Sequence, residues 1–340
     1  MKLRALPCLV AAVTVLTAAS ISQAVDQMIV GVPGSIYVDN INGPVGLDFA
    51  PDGTLYVGRD LTFSGGDSTT PTRIHKVDIG GGTFAEFGAV LDDPDEVLVD
   101  VSGLYSGTPG SVLVAGKVGL AGPGFIQAIA PDGTTTLVTQ TATNDFNING
   151  LGILSDNTLV AGSNEGNYFQ YNTGTNMLDP FFFMDITTGS VAVDDQDNIY
   201  SVVGQAIFQG GMLVPSANPG DILRYNQVTG MVENFADLNL DVSSGSAPLA
   251  FGPGDAFWGS DLYTFNRGTG EFLRIDSMGN ATVIGSGWDQ GLVADLEFGP
   301  DGALYASLLQ DNQVIRFIPE PSSVLLLGLG AVGLIRRRRA

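Results

Sequence analysis

The chain has 340 residues, 44% hydrophobic and only 15% charged, with 46 glycines, a composition suited to short buried segments broken by turns rather than to long helices. Six of its 14 basic residues lie at the two ends, leaving 8 for residues 25–318, where all of its 36 acids but Glu320 fall. A body with a net charge of −27 repels phosphate backbones, which argues against nucleic acid as a partner and leaves a divalent cation, a cationic partner or simple solubility as compatible readings.

The first 24 residues have a basic start at Lys2 and Arg4, an apolar middle over residues 6–19 and a small-residue exit at Ser22-Gln23-Ala24. This three-part pattern predicts a signal peptide read by the secretion machinery and cut after Ala24. Its apolar part is shorter than the roughly 20 residues of a membrane span. The single cysteine, Cys8, precedes the apolar run rather than following it, so it is not placed for lipid attachment, and the mature chain has no disulfide, thiolate nucleophile or cysteine metal site.

Residues 25–318 repeat. One unit is an apolar strand, a tight turn and a second apolar strand: Gly46-Leu47-Asp48-Phe49-Ala50-Pro51-Asp52-Gly53-Thr54-Leu55-Tyr56-Val57, echoed around Leu296 to Tyr305. Weaker copies turn near Gly103, Asn157, Asn198 and Gly254. A second unit follows each first one, a strand with a polar residue ahead of its last apolar position: Lys76, Gln127, Gln170, Arg224, Arg274 and Arg316, separated by 51, 43, 54, 50 and 42 residues. Six copies at that spacing, with alternating strands and no sustained helical period, predict an all-β fold, a six-bladed propeller of four-stranded blades. Little chain remains after Phe317 for an outer strand of the last blade. Residues 28–38 have no blade of their own, and they are expected to supply it and close the ring.

Residues 319–340 begin with Pro319-Glu320-Pro321 and continue through Ser322-Ser323, an apolar run over residues 324–335 and the block Arg336 to Arg339. The basic block holds the end of a segment on the cytoplasmic side of a membrane. The arrangement resembles the PEP-CTERM sorting domain. That resemblance implies transient membrane insertion, cleavage by an exosortase-type sorting protease at Pro319-Glu320-Pro321, a final place at the cell surface or in the extracellular matrix, and an association with exopolysaccharide. The Pro-Asp-Gly turns and apolar-Arg-apolar strands of the body are similar to the NHL-repeat and SMP-30/gluconolactonase group of six-bladed propellers.

In such a propeller the turns between first and second strands share one face. The opposite face gathers Asn40, Asn42, Asp60, Asp93, Asp95, Asp145, Asn147, Asn149, Glu165, Asp185, Asp261 and Asp289. Oxygen ligands of this kind suit calcium, and Asp145, Asn149 and Asp289 are expected to form a cation site; solvated turn formers are the plainer account of the same residues. The gluconolactonase resemblance implies a metal held by an early acid, an Asn leading into a first strand and a catalytic Asp. Asn149-Gly150-Leu151 fits the second requirement. Asn42 stands where the early acid is expected, and no Asp matches the catalytic one.

With one histidine, His75, inside a predicted strand, neither a Ser-His-Asp triad nor a Cys-His pair is supplied. The cluster Asp194-Asp195-Gln196-Asp197-Asn198 lacks the glycine and distal glutamate of an EF-hand and reads as a solvated turn. Phe181, Phe182 and Phe183 fit either a sugar-stacking surface or an outer strand packed between blades. No catalytic residue is assigned. The leading expectation is a binding or matrix component; the alternatives are a metal-dependent lactonase and a purely structural surface protein.

Overall fold

The computed structural model describes residues 24–29, 31–61, 70–119, 122–142, 147–185, 190–209, 212–242, 247–288 and 293–319. Among them there is no helix, and the strands form six antiparallel sheets of four or five strands and one separate two-stranded hairpin. Blades 1 to 5 cover residues 44–91, 96–140, 148–183, 192–236 and 249–285, each with its strands side by side in chain order. Blade 4 carries an extra hairpin, Ala206–Gln209 with Met212–Pro215, between its second and third strands. Blade 6 combines residues 293–317 with two strands from the start of the chain. Val32–Asp39 pairs with Gln313–Phe317, Ser35 lying opposite Arg316, and Ala24–Ile29 pairs in turn with Val32–Asp39. The first strands of consecutive blades touch one another around a complete ring, so the molecule is a six-bladed propeller with a central channel.

Burial follows from this order. Second strands such as Leu55–Arg59, Leu159–Ser163 and Leu304–Leu308 are buried along their whole length, because both of their faces are covered by neighbouring blades. Outer strands such as Phe84–Leu91 and Met231–Ala236 are largely exposed.

The recurring polar residue of the third strands also gains a physical reason. Lys76, Arg224 and Arg316 lie opposite the second-strand tyrosines Tyr56, Tyr200 and Tyr305. Lys76 sits over Tyr56 and over Phe87 of the outer strand, Arg224 over Phe235, and Arg316 over Tyr305 and Tyr37, at 5.3–5.9 Å from the ring centres. Each cation thus keeps its charge at the blade surface while its stem and head cover aromatic rings, worth about 0.5–1 kcal/mol per exposed pair.

Phe181 and Phe182 pack between blades. Phe182 stacks between Tyr168 and Tyr225, at 4.5 and 3.9 Å with interplanar angles of 13° and 3°, while Phe183 is 51% exposed. His75 is buried edge-on against Phe84, and burial, aided by the Arg59 charge, lowers its pKa to about 4 and keeps it neutral. The segment Asp194 to Asn198 is a turn whose first carboxylate accepts from the backbone of Gln196 and Asn198 and from the Tyr200 hydroxyl. Asp261 corrects one expectation. It lies in the connection between the first and second strands of blade 5 and pairs with Arg274, on the face opposite the one expected, because that connection is a long loop running from Gly252 to Asp261 rather than a tight turn.

Candidate functional site

First strands in a propeller are sheet edges that face the axis, so their free N–H groups need acceptors. Side-chain carboxylates supply them here. Leu47 donates its backbone N–H to Asp295 Oδ2 at 2.7 Å, tying blade 1 to blade 6, and Val99 donates to Asp48 Oδ2 at 2.5 Å, tying blade 2 to blade 1. Phe49 donates to the other Asp48 oxygen at 2.6 Å.

Asp48, Glu96, Asp295 and Glu297 line a cavity of about 330 Å³ on the axis, together with Asn149 and Arg267. These four carboxyls lie deep in the molecule yet border the channel, so water reaches them only from that side. Burial raises the pKa of Asp48 and of Asp295 to about 7, and the backbone donors oppose the shift. Glu96 and Glu297 are raised well above the ordinary value, first by burial and then by the charges of the neighbouring carboxylates. Near neutral pH the channel therefore holds bound protons, because four like charges in this space cannot all ionise. Arg267 donates from Nη2 to the Val293 carbonyl at 3.1 Å, and burial lowers its pKa to about 10 against the pull of Asp241.

Toward the face where the chain enters each first strand, the channel opens onto loops of blades 1 to 3. Asp93 is 7% exposed; burial, then the charge of Asp60, raises its pKa to about 7. Its Oδ2 accepts from Asn147 Nδ2 at 3.4 Å, whereas its Oδ1 is buried with no partner. The side-chain oxygens of Asn147, Asn149 and Asn164 are buried and unpartnered as well. These residues are tied together: Asn164 donates its backbone N–H to the Asn147 carbonyl at 3.1 Å, and Asn147 donates its own to Glu165 Oε2 at 3.2 Å. Nearly every buried polar atom in a folded protein is paired, so four unpaired oxygens on two adjacent blades are candidate acceptors for an electropositive group. No three His, Cys, Asp or Glu side chains come together to hold a metal among the described residues, so a cation at this mouth depends on amide oxygens for much of its shell.

Of the residues singled out from sequence, Asn149 is at the mouth, half-buried on the channel wall. Asp145 and Asp289 lie outside the described residues, as do Glu320 and Pro321. Ala24 begins the first described strand, and Pro319 is the last described residue. The backbone oxygen of Asn42 accepts from Arg59 Nε at 3.0 Å. The channel carboxylates Asp48, Glu96, Asp295 and Glu297 escaped the sequence reading. A signal was there: Leu47-Asp48-Phe49 and Leu296-Glu297-Phe298 place an acid between two apolar positions of a strand, so it faces away from the packed side and toward the axis.

Residues 317–339 match the PEP-CTERM protein-sorting motif. The chain is accordingly an exported, surface-sorted protein, and its tail is a sorting signal processed by exosortase. By sequence, no curated protein matches it. In fold it is similar to a gluconolactonase from Xanthomonas campestris (TM-score 0.60, 14% identity, 88% of this chain and 96% of that one). It is also similar to virginiamycin B lyase from Staphylococcus aureus (TM-score 0.55, 11% identity, 86% and 84%). A third similar structure is an auxiliary nutrient binding protein from Bacteroides thetaiotaomicron (TM-score 0.57, 13% identity, 82% and 69%). At these identities the likeness is one of fold.

Proposed function

We propose that this protein is a surface-sorted binding propeller, a component of the extracellular matrix associated with exopolysaccharide, whose channel mouth takes a hard cation such as calcium. The observation that carries the reading is the set of four buried, unpartnered oxygens on Asp93, Asn147, Asn149 and Asn164. A purely structural surface protein has no use for such a set, since unpaired buried oxygens cost stability. Asn149 remains a ligand in this reading, with Asp145 and Asp289 as further donors. Asp60, on the channel wall, supplies negative potential that draws cations to the mouth, while burial raises the pKa of Asp95 and Glu165 and works against their charged forms. Export starts from the signal peptide at residues 1–24, and residues 28–38 serve as the closing strand that makes the body, residues 25–318, one cooperative unit.

A metal-dependent lactonase is the second reading, favoured by Asn149, the second residue of a first strand, which presents an unpartnered Oδ1 at the mouth. It lacks an acid at position 42. Metal analysis and thermal melting test both readings. Calcium is compared with sodium at matched ionic strength, because a body of this charge gains stability from any electrolyte. Calcium-specific stabilisation of the wild type, growing with the logarithm of calcium concentration, is the expected result. Equal melting temperatures in the two salts would remove the cation site, and with it the lactonase reading.

A further inference from the structure

The turns between first and second strands use one contact twice. At the seam between blades 5 and 6, Trp258 projects from the blade 5 loop, is 1% exposed and donates from Nε1 to the Gly302 carbonyl of the next blade's turn at 2.9 Å. Its ring meets Tyr263 and Phe298 edge-on, at 5.7 and 5.5 Å between centroids. At the seam between blades 2 and 3, Tyr105 of the blade 2 loop donates its hydroxyl to the Asn157 carbonyl of the next turn at 2.7 Å and meets Tyr171 edge-on. Asn157 and Gly302 hold the same turn position, both in the left-handed region at φ 66° and 72°. In each case a ring bearing one hydrogen-bond donor bridges a seam by capping the carbonyl of the left-handed turn residue.

The seam between blades 6 and 1 has the same walls, but the ring there, Tyr37, meets Tyr305 edge-on at 5.0 Å and uses its hydroxyl on the Asp78 carbonyl and the Gly80 N–H instead of capping the left-handed turn residue. Tyr305 corresponds to Tyr263, each opposite a third-strand arginine. Phe49 corresponds to Phe298, each opposite the leucine that opens the second strand. Gly53 corresponds to Gly302, the last residue of a Pro-Asp-Gly turn, at φ 91°. All three equivalents, Tyr305, Phe49 and Gly53, line a cavity of about 350 Å³, within the range of small-molecule sites. The cavity exists because blade 6 turns tightly through Pro300-Asp301-Gly302 and has no loop from which to send an aromatic side chain.

We propose that this cavity binds a planar aromatic ring of indole size that carries a hydrogen-bond donor and is neutral or cationic. The ring lies edge-on against the contacting pair Phe49 and Tyr305, with its donor on the Gly53 carbonyl, as Trp258 lies against the contacting pair Phe298 and Tyr263. Ile79, 65% exposed at the rim, covers its outer edge. The charge preference comes from Asp52, which borders the opening. Asp301 adds little to it, because its carboxylate is paired with the Arg316 guanidinium, which lies over Tyr37 and Tyr305. An acidic aromatic is therefore disfavoured.

The test is ligand-observed NMR and calorimetry on the secreted protein with indole, tryptamine, indole-3-acetate and a short tryptophan peptide. Saturable binding is expected, with tryptamine several-fold tighter than indole-3-acetate. Asp52→Asn, which keeps the side-chain oxygen that caps the turn, is expected to narrow that preference, and Ile79→Trp, which plugs the opening, to weaken all four probes about tenfold or more. Tighter binding of the peptide than of free indole identifies a tryptophan side chain of a partner as the source, and the reverse order a free small aromatic. Trp258→Ala serves as the internal standard, since it opens the equivalent hole in the neighbouring seam and is expected to bind one further indole. Absence of saturable binding to the wild type overturns the proposal, as does binding left intact in both Ile79→Trp and Asp52→Asn.

Discussion

The two faces of the propeller use the same residue types in opposite ways. On the turn face, aspartates are saturated by their own turns. Asp100, with no exposed surface, accepts six hydrogen bonds, from the backbone of Gly103, Leu104, Tyr105 and Ser106 and from the hydroxyls of Ser102 and Ser106, at 2.8–3.1 Å. Asp52, Asp156 and Asp301 each accept from the backbone two residues on, the short local bond that makes aspartate a turn former. On the mouth face, Asp93 is nearly as buried as Asp100, yet one of its oxygens has no donor. The lesson is that burial and charge do not separate a structural acid from a candidate ligand. What separates them is whether the fold has already supplied the donors.

The largest effect is expected at Asp100. Replacing it with alanine strands several buried donors and releases the loop from Ser102 to Gly110, so Asp100→Ala should cost about 3 kcal/mol or more in urea unfolding. A cost under about 1 kcal/mol would mean that water replaces the carboxylate freely and that the contrast between the faces is weaker than drawn.

Asp93→Asn should do the reverse. It removes a charge whose burial is unfavourable, so with a chelator present its melting temperature should equal or exceed that of the wild type. Its calcium response should vanish, where the wild type gains about 2.7 kcal/mol at a calcium concentration of 100 times Kd. A full calcium response in Asp93→Asn would move the cation away from this oxygen.

The channel acids predict a pH dependence with a definite sign. Asp48 and Asp295 hold protons more tightly in the folded state, with pKa values near 7 against about 4 unfolded. Their favourable contribution is complete below the unfolded value and is lost as pH rises through the folded one. In chelator, the melting temperature should fall by on the order of 5 °C between pH 5 and pH 8. Asp48→Asn keeps an oxygen for the Val99 N–H and should flatten that slope. A slope unchanged in Asp48→Asn would mean that other groups set the pH dependence.

The architecture was readable because each blade repeats a chemical device. The cations at Lys76, Arg224 and Arg316 recur because each lies opposite a second-strand tyrosine and covers an aromatic ring of its blade, and a contact required in blade after blade leaves a period in the sequence. The mouth was readable only as a face. Turn rules place Asp93, Asn147 and Asn149 on the same end of the ring, but whether an oxygen finds a donor depends on loops from other blades, as with Asn147 and Glu165. Asp48 and Glu297 were missed because an acid inside an apolar strand reads as the solvated side of a sheet, and only closure of the ring turns that side into a channel. Asp261 went to the wrong face because loop length, not residue type, decides where a turn ends.

The smallest effect separates two asparagines. Asn198, on the turn face, is 5% exposed; its Oδ1 accepts from the Gln227 backbone at 3.1 Å, and its Nδ2 donates to Asp194 at 2.8 Å. Truncating it removes two satisfied bonds and strands their partners, so Asn198→Ala should cost about 1–2 kcal/mol whether or not calcium is present. Asn149 has a buried Oδ1 that pairs with nothing. Removing an unpaired oxygen removes its desolvation penalty along with its packing, and these oppose each other, so Asn149→Ala in chelator should lie within about 0.5 kcal/mol of the wild type. With calcium added, the variant should fall behind, because one ligand of the shell is gone. Urea unfolding of both variants, with and without calcium, reads all four values. A loss at Asn149 in chelator as large as that at Asn198 would mean that its oxygen is engaged by the fold itself, and the mouth would then be built like the turns on the opposite face.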